Sequence, residues 1–180
     1  TLFIHWEQGL GDTIQFCRYA ALAAARGARV ILSVQDVLAR LMKSLGPAVE
    51  IICAGGVPPA FDFHIPLLSM PHVFATQMND IPAAASYLRA EPERVKEWSG
   101  IKKDGFKVGI CWQGNKLAKA DLGRSFALSF LKPLSEIPGV RLISLQKNDG
   151  VVQLAQLPPG VKVGIPGADF GRVRSLQRCH

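Results

Sequence analysis

Apolar and polar positions along the first half of the chain alternate in the rhythm of βαβ units. Leu2-Phe3-Ile4-His5-Trp6 predicts a strand over 2–6, and Ile14, Cys17, Ala21 and Ala24, three or four apart, give the apolar stripe of a helix over 12–26. Its many alanines let that helix sit close to a sheet. Gly27 is the expected C-terminal cap, and the next apolar run predicts a strand over 29–34. A second helix over 36–45, stopped by Gly46-Pro47, leads to a strand over 49–53. Gly55-Gly56-Val57-Pro58-Pro59 then reads as a loop before a strand over 61–65.

Over 66–90 the pattern breaks into short apolar pieces at Pro71 and Pro82, and 91–98 reads as one surface helix with Pro92 near its start. The polar, Lys-rich and glycine-flanked stretch 99–105 reads as a linker. Beyond it the alternation restarts: strand 107–112, a polar loop to Arg124, helix 127–136, strand 141–145, a short helix at 151–156 and strand 161–163. The expected fold class is therefore α/β, with a Rossmann-like parallel-sheet domain over 1–104 and the start of a second one over 105–180. The second stretch falls short of the ~100 to 150 residues of an ordinary domain, so it is expected to be incomplete. An unpaired edge there offers a route to a homo-oligomer. Thr1 in place of Met, followed at once by a strand, marks an expected fragment. The basic end over 171–180, with neither strand alternation nor a helix stripe, reads as a truncation, a frame change or a disordered tail.

Composition narrows the function classes. Nearly half the residues, 48%, are apolar, enough for a real core, yet no run approaches the ~20 uninterrupted apolar residues of a membrane span. The start lacks the layout of a signal peptide, so a cytoplasmic setting is the expectation. A net charge of +7 could draw nucleic acid, anionic lipid or phosphorylated small molecules. The basic residues are dispersed and not interleaved with aromatics, which argues against nucleic acid. Cys17, Cys53, Cys111 and Cys179 form no CxxC pair, so neither zinc nor disulfides are implied.

Candidate chemistry falls at two turns. In Gly9-Leu10-Gly11-Asp12-Thr13 a strand ends, two glycines are expected to take a tight turn with positive φ, and a helix begins at Asp12 or Thr13 as its cap. Ligands of open α/β sheets bind at that carboxyl edge, where a helix N-terminus favours phosphate. The motif is not GxGxxG, since Ile14 occupies the third glycine position and no acidic residue ends the second strand at Val34, so no dinucleotide site is expected. Asp12 has two compatible readings: a helix cap, or a general base that accepts a proton from an attacking hydroxyl.

The second turn is Gly109-Ile110-Cys111-Trp112-Gln113-Gly114-Asn115-Lys116, a buried strand running into a polar loop followed by Arg124-Ser125. Lys116 and Arg124 suit a diphosphate, against the plainer reading of a solvated loop with incidental charges. One strand later Ser144-Leu145-Gln146-Lys147 repeats the pattern, and two neighbouring strands ending in polar and cationic side chains favour a cleft. His5, His64 and His72 receive no role. The chain has no HExxH, P-loop or Ser/His/Asp order, so metalloprotease, ATPase and triad-hydrolase readings lack their parts.

Four blocks in order resemble the heptosyltransferase-like glycosyltransferases of the GT-B fold, and among them the domain that follows tetratricopeptide repeats in many bacterial proteins. They are Glu7-Gln8-Gly9-Leu10-Gly11-Asp12-Thr13-Ile14-Gln15-Phe16; Phe61-Asp62-Phe63-His64-Ile65-Pro66-Leu67-Leu68-Ser69-Met70-Pro71; Val108-Gly109-Ile110-Cys111-Trp112-Gln113-Gly114-Asn115; and Arg124-Ser125-Phe126 with Ser144-Leu145-Gln146-Lys147. The resemblance implies an acceptor domain, an opening donor domain, a nucleotide-sugar donor, an unknown acceptor hydroxyl, and neither metal nor cofactor. It makes Asp12 the catalytic base and Gly9, Gly11 and Thr13 the acceptor-side loop. Gly114, Asn115, Lys116, Arg124, Ser125, Gln146 and Lys147 become the donor-binding set.

Three features depart from that family. The acidic, serine-rich donor turn of the later second domain is missing, His5-Trp6 stands where the family usually has a smaller residue before Glu7, and the end after Phe170 does not match. The implied function is a fragment of a glycosyltransferase, inactive by itself. The alternative is a non-catalytic GT-B-like interaction or scaffold module, with a charge-driven nucleic-acid or phospholipid binder as a weaker third.

Overall fold

The computed structural model describes residues 1–82, 86–102, 105–114 and 123–166. The chain divides into two compact units, with the division between Pro92 and Glu93, upstream of the 104/105 boundary expected from composition.

The first unit is built on a four-stranded parallel sheet in the order β3-β2-β1-β4. Its strands are β1 (Leu2–His5), β2 (Val30–Val34), β3 (Val49–Cys53) and β4 (Phe63–Pro66). Ile4 pairs with Leu32 on one side and Ile65 on the other, and Leu32 pairs with Ile51, so these four share a face. β2 is buried along its whole length, which is why Val-Ile-Leu-Ser-Val reads as a near-continuous apolar run rather than an alternation. Onto the Ile4 and Leu32 face pack Cys17, Ala20 and Ala23, then Leu38, Ala39 and Met42, then Leu67 and Met70. Each fully buried Leu, Ile or Met there contributes about 1.5–3 kcal/mol.

The helix expected over 12–26 is two: α1 (Leu10–Phe16) and α2 (Arg18–Ala25). At Cys17 the ladder tightens, with the Cys17 amide still donating to Thr13 O at 3.0 Å and the Ala20 amide donating only three residues back, to Cys17 O. α2 ends as its sequence predicts. Gly27 takes φ +92° and donates to Ala24 O, while the Ala28 amide reaches Ala23 O, the paired bonds of a glycine C-cap. The next helix, α3 (Asp36–Met42), closes with a 3-10 turn at Lys43–Leu45.

β4 begins two residues later than expected, because the amides of Asp62 and Phe63 both donate to Thr1 O and set the entry to the pairing. The proline-broken stretch beyond it folds as a 3-10 turn, Leu67–Ser69, and a short helix α4 (Met70–Val73). Arg18 then fastens residues 82 and 87 to the helical layer: its guanidinium donates to Gln15 O, Pro82 O and the Tyr87 hydroxyl and lies 4.3 Å over the Tyr87 ring. Tyr87 in turn donates to Ile14 O.

The second unit carries a three-stranded parallel sheet, order β5-β6-β7: β5 (Phe106–Ile110), β6 (Val140–Ser144) and β7 (Val163–Gly164). Ile110, Trp112, Leu128 and Leu142 form its core, with Val108, Leu131, Leu154 and Val163 around them. Two expectations change here. The predicted linker over 99–105 contains a 3-10 helix, Trp98–Lys102, which continues α5 (Pro92–Glu97); the Ser99 hydroxyl supports the join by donating to Lys96 O at 2.7 Å. The helix predicted over 127–136 is a 3-10 turn, Leu128–Leu131, and then α6 (Lys132–Ser135), since Pro133 has no amide and fits only a first helical turn. The segment at Val151–Gln156 is likewise 3-10.

Candidate functional site

The first candidate lies at the carboxyl end of β1. The helix there starts earlier than expected, so Gly9 is the N-cap and Asp12 stands in its first turn. Asp12 is not the cap residue itself. Its carboxylate turns back to accept the Gly9 amide, N to Oδ2 at 2.8 Å, which is half of a capping box and suits the positive end of the helix.

The positive φ expected of the glycines falls instead on Gln8, at +57°. Gly9 has φ −86° and ψ 170°, open to any residue, but a Cβ there would lie 3.1 Å from Asp12 Oδ2. A Cβ on Gly11 would meet nothing within 4 Å. Gly9 is thus explained by the close approach of the carboxylate, and Gly11 by nothing in the described packing.

Thr13 follows Asp12 in α1. It is fully buried, and its hydroxyl donates to Gln35 Oε1 at 2.9 Å. Gln35 follows β2, so this bond ties the ends of the two central strands together. Glu7 does the same towards β4 by accepting the Leu68 amide at 3.2 Å. Neither Glu7 nor Gln35 was singled out as a site residue by its type. The available signal was position, since each lies within two residues of the carboxyl end of a strand.

The second candidate is a cleft of about 370 Å3 in the second unit, lined by Gln113, Gly114, Lys147, Asn148 and Asp149 at the carboxyl ends of β5 and β6. Ser125 braces one wall, its Oγ accepting the Gly114 amide at 3.0 Å, and the Phe126 amide donates to Trp112 O. Lys147 is exposed on the opposite wall, and Arg124 is exposed beside Ser125. Asn115 and Lys116 lie outside the described residues.

Gln146 has a different place from the one expected of a ligand contact. Its side chain is buried and its carboxamide is occupied entirely by backbone. Oε1 accepts the amides of Trp112 and Gln113 at 2.9 and 3.1 Å, while Nε2 donates to Gln113 O and Asp149 O, both at 2.7 Å, and to Lys147 O at 3.2 Å. Beneath the cleft the buried Trp112 indole donates to Gly150 O at 3.3 Å. Gln153 adds a further tie, from Nε2 to Gln113 Oε1, and accepts the Leu128 amide.

The remaining reactive groups are few. Among the described residues no group of three or more His, Cys, Asp and Glu gathers as a metal site. The His5 and His64 rings lie 6.0 Å apart, beside Phe3 and Phe61. Cys53 is disulfide-bonded, where the sequence implied no disulfide. Cys17 is a buried free thiol pushed up to about 12 by burial, and it donates to Ile14 O. No helix among the described residues is long and apolar enough to cross a membrane.

These features define an α/β chain with two all-parallel sheets, compatible with a Rossmann-like fold, whose polar turns sit at carboxyl strand ends. Compared with known proteins, the chain is 29% identical to Protein FlbA of Caulobacter vibrioides over 176 residues. That alignment covers 86% of this chain and 29% of FlbA, so the chain spans less than a third of its relative's length. No protein-family model matches the chain, and no solved structure matches it.

Proposed function

We propose that this chain is part of a GT-B-type glycosyltransferase that moves a sugar from a nucleotide-sugar donor to an acceptor hydroxyl. The observation that carries the reading is Asp12, a half-buried carboxylate fixed at the carboxyl end of a central parallel strand by the Gly9 amide on Oδ2. A base must be held in one orientation to receive a proton, and a carboxylate anchored through one oxygen keeps the other for the acceptor hydroxyl. In the second unit the Gln113, Gly114 and Lys147 cleft is the place proposed for the donor phosphates, with Lys147 as the cation and Arg124 nearby.

The scaffold alternative draws on the same bond, because a capping carboxylate is accounted for without any reaction. Calorimetric titration with UDP-, GDP- and ADP-sugars, on this chain and on one extended to a complete second domain, separates the two. Binding by the extended chain, with transfer or donor hydrolysis that Asp12→Asn lowers by about 10²–10⁴-fold, supports the enzyme. A folded extended chain that binds none of them leaves the scaffold.

A further inference from the structure

We propose that Gln146 is the positioning residue of the second-unit cleft: its buried carboxamide sets the spacing between the Gln113–Gly114 wall and the Lys147–Asp149 wall without touching a ligand. That the cleft takes a nucleoside diphosphate rests on the reading above; the clamp does not.

The argument is one of hydrogen-bond inventory. A carboxamide offers two lone-pair directions and two N–H groups. Gln146 uses both kinds across the cleft: the oxygen is directed at the amides of Trp112 and Gln113 after β5, and the nitrogen bridges Gln113 O to Lys147 O and Asp149 O on the loop after β6. A single side chain therefore holds both walls, and it is 8% exposed, so water does not substitute easily.

The loop it holds needs holding. Asn148 has φ +59° without being glycine, and Gly150 has φ +83°. The Trp112 indole bond to Gly150 O secures the far end of the loop, and Gln146 holds it at Lys147 and Asp149. Two backbone bonds report on the loop from outside the clamp: the Val151 amide donates to Asn148 O at 3.4 Å and the Gln153 amide to Gly150 O at 3.0 Å.

Because only the nitrogen reaches the Lys147–Asp149 wall, the two halves of the clamp separate by substitution. Gln146→Glu keeps an acceptor for Trp112 and Gln113 but loses every donor, to Gln113 O as well as to the loop, and sets a carboxylate oxygen against those carbonyls. Gln146→Met keeps the volume and loses both. The test is residue-resolved hydrogen exchange on the full 180-residue chain, with titration by UDP, GDP and ADP alongside.

In Gln146→Glu the amides of Val151 and Gln153 are expected to exchange on the order of tenfold faster, while Trp112 and Gln113 keep their protection. In Gln146→Met all four are expected to speed up, and β2 of the first unit stays unchanged in both. Where the wild type binds a diphosphate, both variants bind it more weakly. Equal exchange in variant and wild type, loss of Trp112 and Gln113 protection in Gln146→Glu, or melting of the entire second unit in both variants would each overturn the proposal. A wild-type chain that binds none of the three diphosphates tells against the donor-site reading and leaves the clamp to be judged by exchange.

Discussion

The Gly9 amide and the Asp12 carboxylate form a closed pair, 2.8 Å from N to Oδ2, so the residue with the greatest catalytic promise in this chain is also a helix-capping group. Stability and activity therefore have to be read together at this position. Asp12→Ala is expected to cost about 1 kcal/mol, and Asp12→Asn, which keeps an acceptor oxygen, less than half of that. Urea melts of the two variants check this. An equal loss in both would mean that charge at the helix start, rather than the bond, supplies the stabilisation.

Thr13 and Gln35 join the loops after β1 and β2 through one bond from a fully buried hydroxyl. Thr13→Val preserves shape and leaves Gln35 Oε1 without that donor, at an expected cost of about 1 kcal/mol, the low end for a broken pair because Gln35 is only half-buried. A double-mutant cycle with Gln35→Ala should return most of that loss as coupling; a coupling near zero would show that water replaces the bond.

The two free cysteines among the described residues should differ in reactivity. Exposed Cys111 is expected to react with a thiol reagent in the folded chain, whereas Cys17 should be modified only on unfolding. Burial raises the Cys17 thiol from its ordinary 9.0 to about 12. With the folded value above the unfolded one, the stability linked to this group is complete below about pH 9 and is lost as the pH rises towards 12. Melts at about pH 8 and about pH 10 should show a fall that is smaller in Cys17→Ala than in the wild type.

Two glycines with positive φ separate backbone strain from crowding. Gly123, at +77°, has nothing within 4 Å of an added Cβ, so Gly123→Ala should cost only the left-handed backbone penalty of about 1–2 kcal/mol. At Gly150 the same Cβ would lie 2.8 Å from Gln113 Oε1, 2.9 Å from Gln113 Cβ and 3.0 Å from Trp112 Nε1. Gly150→Ala should add about 1–3 kcal/mol of overpacking to the backbone cost. Equal losses in thermal melts of the two variants would show that the Gln113 and Trp112 side chains move aside freely.

The sequence by itself determined what is local or periodic. It placed the strands at Leu2, Val30 and Val49 to within a residue, because apolar runs between glycine and proline breaks leave few alternatives. It also placed Gly27 as a cap and the two polar turns that follow β1 and β5. Only the tertiary structure decided what each polar side chain does. Gln146 looked like a ligand contact because a polar residue after a buried strand suits one; it is a clamp because the backbone of the neighbouring strand end, far away in sequence, meets its carboxamide. Thr13 looked like a site residue and is buried against Gln35, and the strain assigned to Gly9 and Gly11 fell on Gln8. Periodicity reports how much of a residue is buried, whereas the partner of a hydrogen bond depends on which strand ends the parallel pairing brings side by side.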